Sequence, residues 1–312
     1  IIFIAAFFVR FYNLSLFPLN HDEVTWSLRS IENFDRFIGI PVACFHGYIQ
    51  PFFSYLVVFT TKIFSSPLYI IRIPSVIIGV GTVILIYKLA KEMYGRKTGI
   101  LSMLLLCFLP WHIIQSRIGV SLILTPFFGC LIFWALVKAI KNKNNLWFLV
   151  SWIFLGIGSF YTYQASLLFV PLFLITLLSV RKDICWIKPK IVLLGIIVFL
   201  IILYPLLYLN MRGEIDQYLG KVYRMYYNDA PFTGTICEFF SKSFINFKDN
   251  VSYSFRGLFF NKAYILYGQA LDAPLLINHI SFFIILISIM RSIYYRRVSD
   301  KIILIWFILG YI

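Results

Sequence analysis

Apolar residues dominate long stretches of this chain, and they are interrupted rather than alternated with polar ones. Unbroken or nearly unbroken runs fall at 68–87, 98–111, 120–137, 146–160, 167–180, 191–209 and 280–290. Several approach or exceed the roughly 18–20 residues that cross a bilayer as a helix. The pattern predicts helices throughout and an integral membrane protein. Two more apolar runs, Ile1–Val9 and Ile302–Ile312, sit at the ends. The first lacks the basic head and small-residue cleavage site of a secretory signal, so it reads as the end of a spanning helix. Both ends lie inside apolar runs, the expectation for a piece of a longer protein.

Composition agrees with the pattern and changes little: 61% of the 312 residues are hydrophobic and 13% charged, which excludes an ordinary soluble domain. Charge adds more. The net +15 could suggest nucleic acid, but fifteen of the 28 Lys and Arg sit in four short loops, Lys88–Lys97, Lys138–Lys143, Arg181–Lys190 and Arg291–Lys301. Basic residues in short loops between spans mark the cytoplasmic side, so topology accounts for the charge and no nucleic-acid partner is expected.

Working outward from those loops, Gln115–Gly119, Phe160–Gln164, the stretch before Lys88 and the stretch 210–275 face the other side. Parity then allows one net crossing between residue 51 and Lys88. Residues 68–90 supply it, and Pro51–Phe64 reads as an interfacial or re-entrant piece. The expected fold is all-α and polytopic, with seven spans before 210–275 and two after it, about nine in this fragment. Two large extracytoplasmic loops, 13–50 and 210–275, hold ten of the thirteen acids. The expected organisation is a seven-span catalytic module at 1–209, an outer loop at 210–275 and C-terminal spans at 276–312. Within 213–228, Ile215, Tyr218, Leu219, Val222 and Tyr226 recur at helical spacing, as in an amphipathic helix of the headgroup layer. No internal repeat supports a transporter built from inverted halves.

Candidate chemistry gathers on the outer side. Asn20-His21-Asp22-Glu23 opens an outer helix. A carboxylate there can accept a proton at the membrane surface. Asn20 and Glu23 also have capping-box spacing, and Asp22 suits a first helical turn, so a purely structural reading stands beside the catalytic one. Gln115-Ser116-Arg117 follows the third span. Its guanidinium fork suits a phosphate, although an arginine at that depth also snorkels. Arg72, in Ile71-Arg72-Ile73-Pro74, lies near the outer end of a span, with Pro74 expected in a first helical turn. Tyr161-Thr162-Tyr163-Gln164 forms an outer aromatic link of the kind interfaces favour. His21 and His46 share a loop with Asp22, but their spacing fits no zinc pattern and no metal site is predicted. The five cysteines form no CxxC motif. The spans carry almost no ionisable residues, which argues against a proton or ion pathway and for a surface-facing enzyme acting on a lipid-linked substrate.

These residues also resemble a known family. Pro18-Leu19-Asn20-His21-Asp22-Glu23, Asp35 through Gly39-Ile40-Pro41-Val42, Gly47-Tyr48-Ile49-Gln50-Pro51-Phe52 and Arg72-Ile73-Pro74-Ser75 are similar to the start of glycosyltransferase family 39. The likeness continues through Tyr94-Gly95-Arg96, Pro110, Ser116-Arg117, Gly156-Ile157-Gly158 and Tyr161-Thr162-Tyr163, over roughly the first 170 residues. These are membrane glycosyltransferases of the GT-C type, related to protein O-mannosyltransferases and to the aminoarabinose transferase of lipid A.

The resemblance implies transfer of a sugar, with inversion, from a polyprenyl-phosphate donor to a lipid, glycan or protein acceptor. The reaction would take place on the extracytoplasmic face of a bacterial or archaeal plasma membrane, among membrane lipids. It implies Asp22 and Glu23 as the catalytic acids and Arg117 as a ligand of the donor phosphate, with Arg72, Arg212, Lys221 and Arg224 as further cations. His21, His46, Tyr48, Tyr161 and Tyr163 would line the substrate pocket. No cofactor is required, and a divalent ion between Asp22 and Glu23 is compatible but unnecessary. A transporter or flippase of lipid-linked sugars, or a lipid-linked glycan polymerase or ligase, is the alternative reading of the same spans.

Overall fold

The computed structural model describes residues 2–16, 18–32, 44–45, 48–49, 51–211, 264–265, 269–270, 287, 289–295 and 297–310. The expected amphipathic helix at 213–228 lies outside them. Helices α1 (Ile2–Phe11), α2 (His21–Glu32), α3 (Pro51–Thr61), α4 (Pro67–Tyr94), α5 (Arg96–Phe108), α6 (Pro110–Arg117), α7 (Leu124–Asn142), α8 (Asn145–Phe160), α9 (Phe169–Ser179), α10 (Pro189–Met211) and α11 (Val298–Gly310) account for most of the described residues. The remainder includes three short 3-10 turns and two antiparallel pairings of two residues each, Cys44–Phe45 with Tyr48–Ile49 and Tyr264–Ile265 with Gln269–Ala270. The chain forms two compact units, residues 1–173 with 183–226, and 174–182 with 227–312. The candidate site lies wholly in the first.

Each apolar run predicted before residue 210 is helical. Among the described residues, α4 (28 residues) and the stretch Ser121–Asn142 (22 residues) are long and apolar enough to cross a membrane, and the number reaches four only if each of two bent pairs, Ile2–Leu16 with His21–Leu28 and α5 with α6, is one span. At 1.5 Å per residue α4 is about 42 Å long, more than the ~30 Å hydrocarbon core. Helix α3 has 11 residues, too few to cross, as expected for the interfacial piece.

Local signals set the boundaries. Pro67 occupies the first turn of α4, and Gly95, at φ 96°, ends it where residues with a side chain are strained. Lys143, at φ 47°, closes α7, and the Asn144 side chain accepts from the Leu146 and Trp147 N–H groups to start α8. Pro74 does not lie in a first helical turn. It is inside α4, because the helix begins seven residues earlier at Pro67.

Helix α4 is the hub of its unit, packing against α1, α3, α5, α6 and α7. Ala6, Val83 and Cys107 form one buried cluster where α1, α4 and α5 meet, and Leu14, Ile73 and Val76 form another below the turn after α1. Approach of α6 to α4 is close enough that a Cβ on Gly79 would fall 2.3 Å from Ser116 Cβ, so only glycine fits there.

Candidate active site

Helix α2 begins as its spacing predicts. The Asn20 side chain accepts from the Asp22 N–H (3.1 Å), and Glu23 Oε2 accepts from the Asn20 N–H (2.8 Å), completing a capping box. Glu23 does more than cap. Arg72, on α4, donates through Nε to Oε1 and through Nη2 to Oε2, both at 2.8 Å, and the Gly119 N–H donates to Oε1 at 2.7 Å. A carboxylate offers about four lone-pair positions, and Glu23 has four donors. Glu23 and Arg72 are 1% and 2% exposed, so this is a buried, bidentate ion pair. Arg72 also donates to the carbonyls of Leu14 (2.6 Å) and Pro18 (3.0 Å), tying the turn after α1 to α4.

Asp22, the neighbouring acid, is different. It is half-buried, and among the described residues no hydrogen bond or ion pair reaches its carboxylate. Its charge is felt by Tyr163, whose phenol is pushed above its ordinary value first by burial and then by the Asp22 carboxylate. Tyr163 is thus held as a neutral phenol near Asp22. The link between α8 and the next 3-10 turn therefore lies beside the start of α2.

Arg117 ends α6 and reaches the end of α1. Its Nη1 donates to the carbonyls of Val9 (3.0 Å) and Tyr12 (2.8 Å), and its Nη2 to Asn13 (2.6 Å). Asn13 adopts φ 50°, the left-handed conformation that stops a helix, and a cation there meets the negative end of the α1 dipole. Arg117 is also close enough to Arg72 for their charges to interact. Glu23 offsets one of these two positive charges, and the other remains at the edge of the site.

The other sequence-derived candidates disperse. His21 is exposed, with Nε2 3.5 Å from Thr25 Oγ1. Tyr161 turns its hydroxyl to the Ile202 carbonyl (2.6 Å), and its own carbonyl accepts from the Phe52 N–H (3.1 Å). Burial, and then Tyr55, push the Tyr161 phenol up to about 12. Tyr48 is described only through its backbone, which pairs with Phe45. His46, Arg212, Lys221 and Arg224 lie outside the described residues. Among the described residues no three His, Cys, Asp or Glu come together to hold a metal ion.

The expectation that the helices hold almost no buried ionisable groups is corrected: Arg10, on α1, and His112, on α6, are both 0% exposed, alongside Arg72. The Arg10 guanidinium reaches the carbonyls of Ala6, Leu106 and Cys107 and the His112 ring. The signal was an arginine immediately after an apolar run taken to end at Val9, together with a histidine two residues after a proline.

An all-helical chain with two to four candidate membrane spans among its described residues, in which Glu23, next to Asp22, is clasped to the long helix α4 by Arg72, is the class these observations define. Residues 46–209, more than half of the chain, match the dolichyl-phosphate-mannose-protein mannosyltransferase family, and the chain belongs to it. It is similar to YkcB of Bacillus subtilis (strain 168), a provisionally assigned mannosyltransferase, at 25% identity over 230 residues, covering 71% of this chain and 32% of that protein. The chain thus spans about a third of the length of that relative. No solved structure matches it.

Proposed function

We propose that this chain carries the catalytic part of a glycosyltransferase that moves a sugar from a polyprenyl-phosphate donor to an acceptor at the extracytoplasmic membrane face. Family membership supports sugar transfer, and the four basic loops support the outer placement. The nine-span arrangement belongs to this reading.

The observation that carries the reading is the contrast between neighbours. Glu23 has all its lone pairs occupied, while Asp22 presents a half-buried carboxylate beside Tyr163 that no hydrogen bond or ion pair reaches among the described residues. Asp22 is the base. It takes the proton as the acceptor hydroxyl or amine attacks the anomeric carbon, the new glycosidic bond forms as the bond to the lipid phosphate breaks, and polyprenyl phosphate leaves. Such a base is worth on the order of 10²–10⁴ in rate. Attack from the face opposite the departing phosphate inverts the anomeric centre. Glu23 and Arg72 hold the start of α2 in place, and the charge on Arg117 favours the departing phosphate. Arg212, Lys221 and Arg224 are further cations for that phosphate, and His21, His46, Tyr48, Tyr161 and Tyr163 are candidates for the pocket around it.

The test is a transfer assay with the purified full-length protein in lipid nanodiscs, given polyprenyl-phosphate monosaccharides and an extract of envelope acceptors. Release of free polyprenyl phosphate together with a new glycosidic product supports the reading. Donor crossing a vesicle membrane without product would favour a flippase instead.

A further inference from the structure

Three helix segments of the first unit contain or meet a proline that removes a backbone donor, and in each a side chain from another helix or link stands at the freed carbonyl or at the one after it. A proline at position i cannot serve the carbonyl at i−4, and the kink it causes commonly loosens the next carbonyl as well. For Pro74, the carbonyl at i−4 is Ile70, and Thr60 Oγ1 on α3 lies 2.7 Å from it, sharing its one proton with the Val57 carbonyl of its own helix at 2.6 Å. For Pro205, the Ile202 carbonyl, three residues earlier, accepts from the Tyr161 hydroxyl at 2.6 Å. For Pro110, the carbonyls at i−4 and i−3 are Leu106 and Cys107, and Arg10 donates to both at 3.2 Å. In lipid a freed carbonyl has no water to turn to, so protein donors must replace the lost ones.

The Pro110 break is the largest of these demands. The proline pushes Leu109 into extended conformation (ψ 114°), so α5 and α6 separate and cross at 61°. Arg10 bridges the break. Its Nη1 and Nη2 serve the last carbonyls of α5, and its Nη2 also lies 2.9 Å from His112 Nδ1, in the first turn of α6. Arginine has no acceptor, so Nδ1 accepts and the ring is the neutral tautomer with its proton on Nε2. A fourth contact, to the Ala6 carbonyl at 3.0 Å, fixes the side chain to its own helix.

The geometry points to Arg10 as the positioning residue of this hinge: a side-chain substitute for the backbone donors lost at the Pro110 break, setting the bend between α5 and α6. What the bend controls is on α6 and just after it. Arg117 holds the end of α1, and the Gly119 N–H holds Glu23 beside Asp22. The hinge stands on these hydrogen bonds alone; its consequence for turnover rests on the transferase reading proposed above.

The test is a double-mutant cycle on the full-length protein in nanodiscs, using Arg10→Met, Pro110→Ala and the pair, with thermal unfolding and the distance between spin labels at Leu101 and Ile118 as readouts. Arg10→Met is expected to lower the unfolding midpoint by on the order of 5–10 °C and to broaden the label distance. With Pro110→Ala the backbone N–H at 110 returns to Leu106, and the further loss from Arg10→Met should shrink to less than half. An equal loss in both backgrounds overturns the hinge role. If Arg10→Met does not fold, Arg10→Lys runs the same cycle under the same criterion, because a single nitrogen cannot bridge both helices. Transfer should fall as the label distance broadens, and loss of transfer at the wild-type distance would break the link to the site. A wild-type protein without transfer would count against the enzymatic reading, and the cycle would still decide the hinge.

Discussion

Glu23 and Arg72, 49 residues apart in sequence, meet through two parallel hydrogen bonds of 2.8 Å each in a buried setting. Removing one partner of such a pair strands the other as an uncompensated buried charge, at a cost of about 3–5 kcal/mol. Glu23→Ala and Arg72→Met should each lower the unfolding midpoint strongly, and the double variant should lose clearly less than the sum. Additive losses, measured by thermal unfolding in nanodiscs, would mean that the two side chains do not act on each other.

Gly119 is where backbone meets backbone. A Cβ there would stand 2.2 Å from Ile71 Cγ2 and 2.6 Å from the Ile71 carbonyl oxygen, and the carbonyl cannot swing aside as a side chain can. Gly119→Ala should therefore reduce folded yield, and Ile71→Ala should restore only part of it. Full rescue would place the restriction in the side chain alone.

The sequence made much of the scaffold legible, because apolar runs of this length in a membrane protein have one outcome and because capping is local: Asn20 and Glu23, three residues apart, announce the start of α2. The partners of Glu23 were not legible. Arg72 comes from a distant helix and Gly119 from the link after α6, and spacing cannot say that one of two adjacent acids turns inward to an arginine while the other has no such partner among the described residues. Arg117 was readable as a cation near the site, but its three carbonyl partners at the end of α1 depend on how α6 bends. The bend follows from Pro110, whereas the residue that completes it, Arg10, lies about a hundred positions away and was hidden at the edge of an apolar run.

Tyr163 offers an independent report on Asp22. Burial and the carboxylate both raise its phenol above the ordinary value, so replacing the acid by a neutral amide should lower it, with the burial part remaining. Fluorine NMR of a fluorotyrosine at position 163, titrated in wild type and in Asp22→Asn, measures the difference. An unchanged midpoint would separate the two groups.

Orientation follows from the charge pattern. In sealed cells an impermeant thiol reagent should reach a cysteine introduced at Ser65, in the exposed turn before α4, and should not reach one at Asn142, at the exposed end of α7. Labelling of Asn142→Cys from outside would invert the topology and move the site to the other face.

The most direct measurement compares transfer and folding in Asp22→Asn. The amide keeps shape and size but is not a usable base, and because no hydrogen bond reaches the Asp22 carboxylate among the described residues, the fold has little to lose. The proposed role predicts turnover lower by on the order of 10²–10⁴ with an unfolding midpoint close to wild type. Turnover equal to wild type in a well-folded Asp22→Asn protein would contradict it and leave Asp22 a first-turn acid with no part in the chemistry.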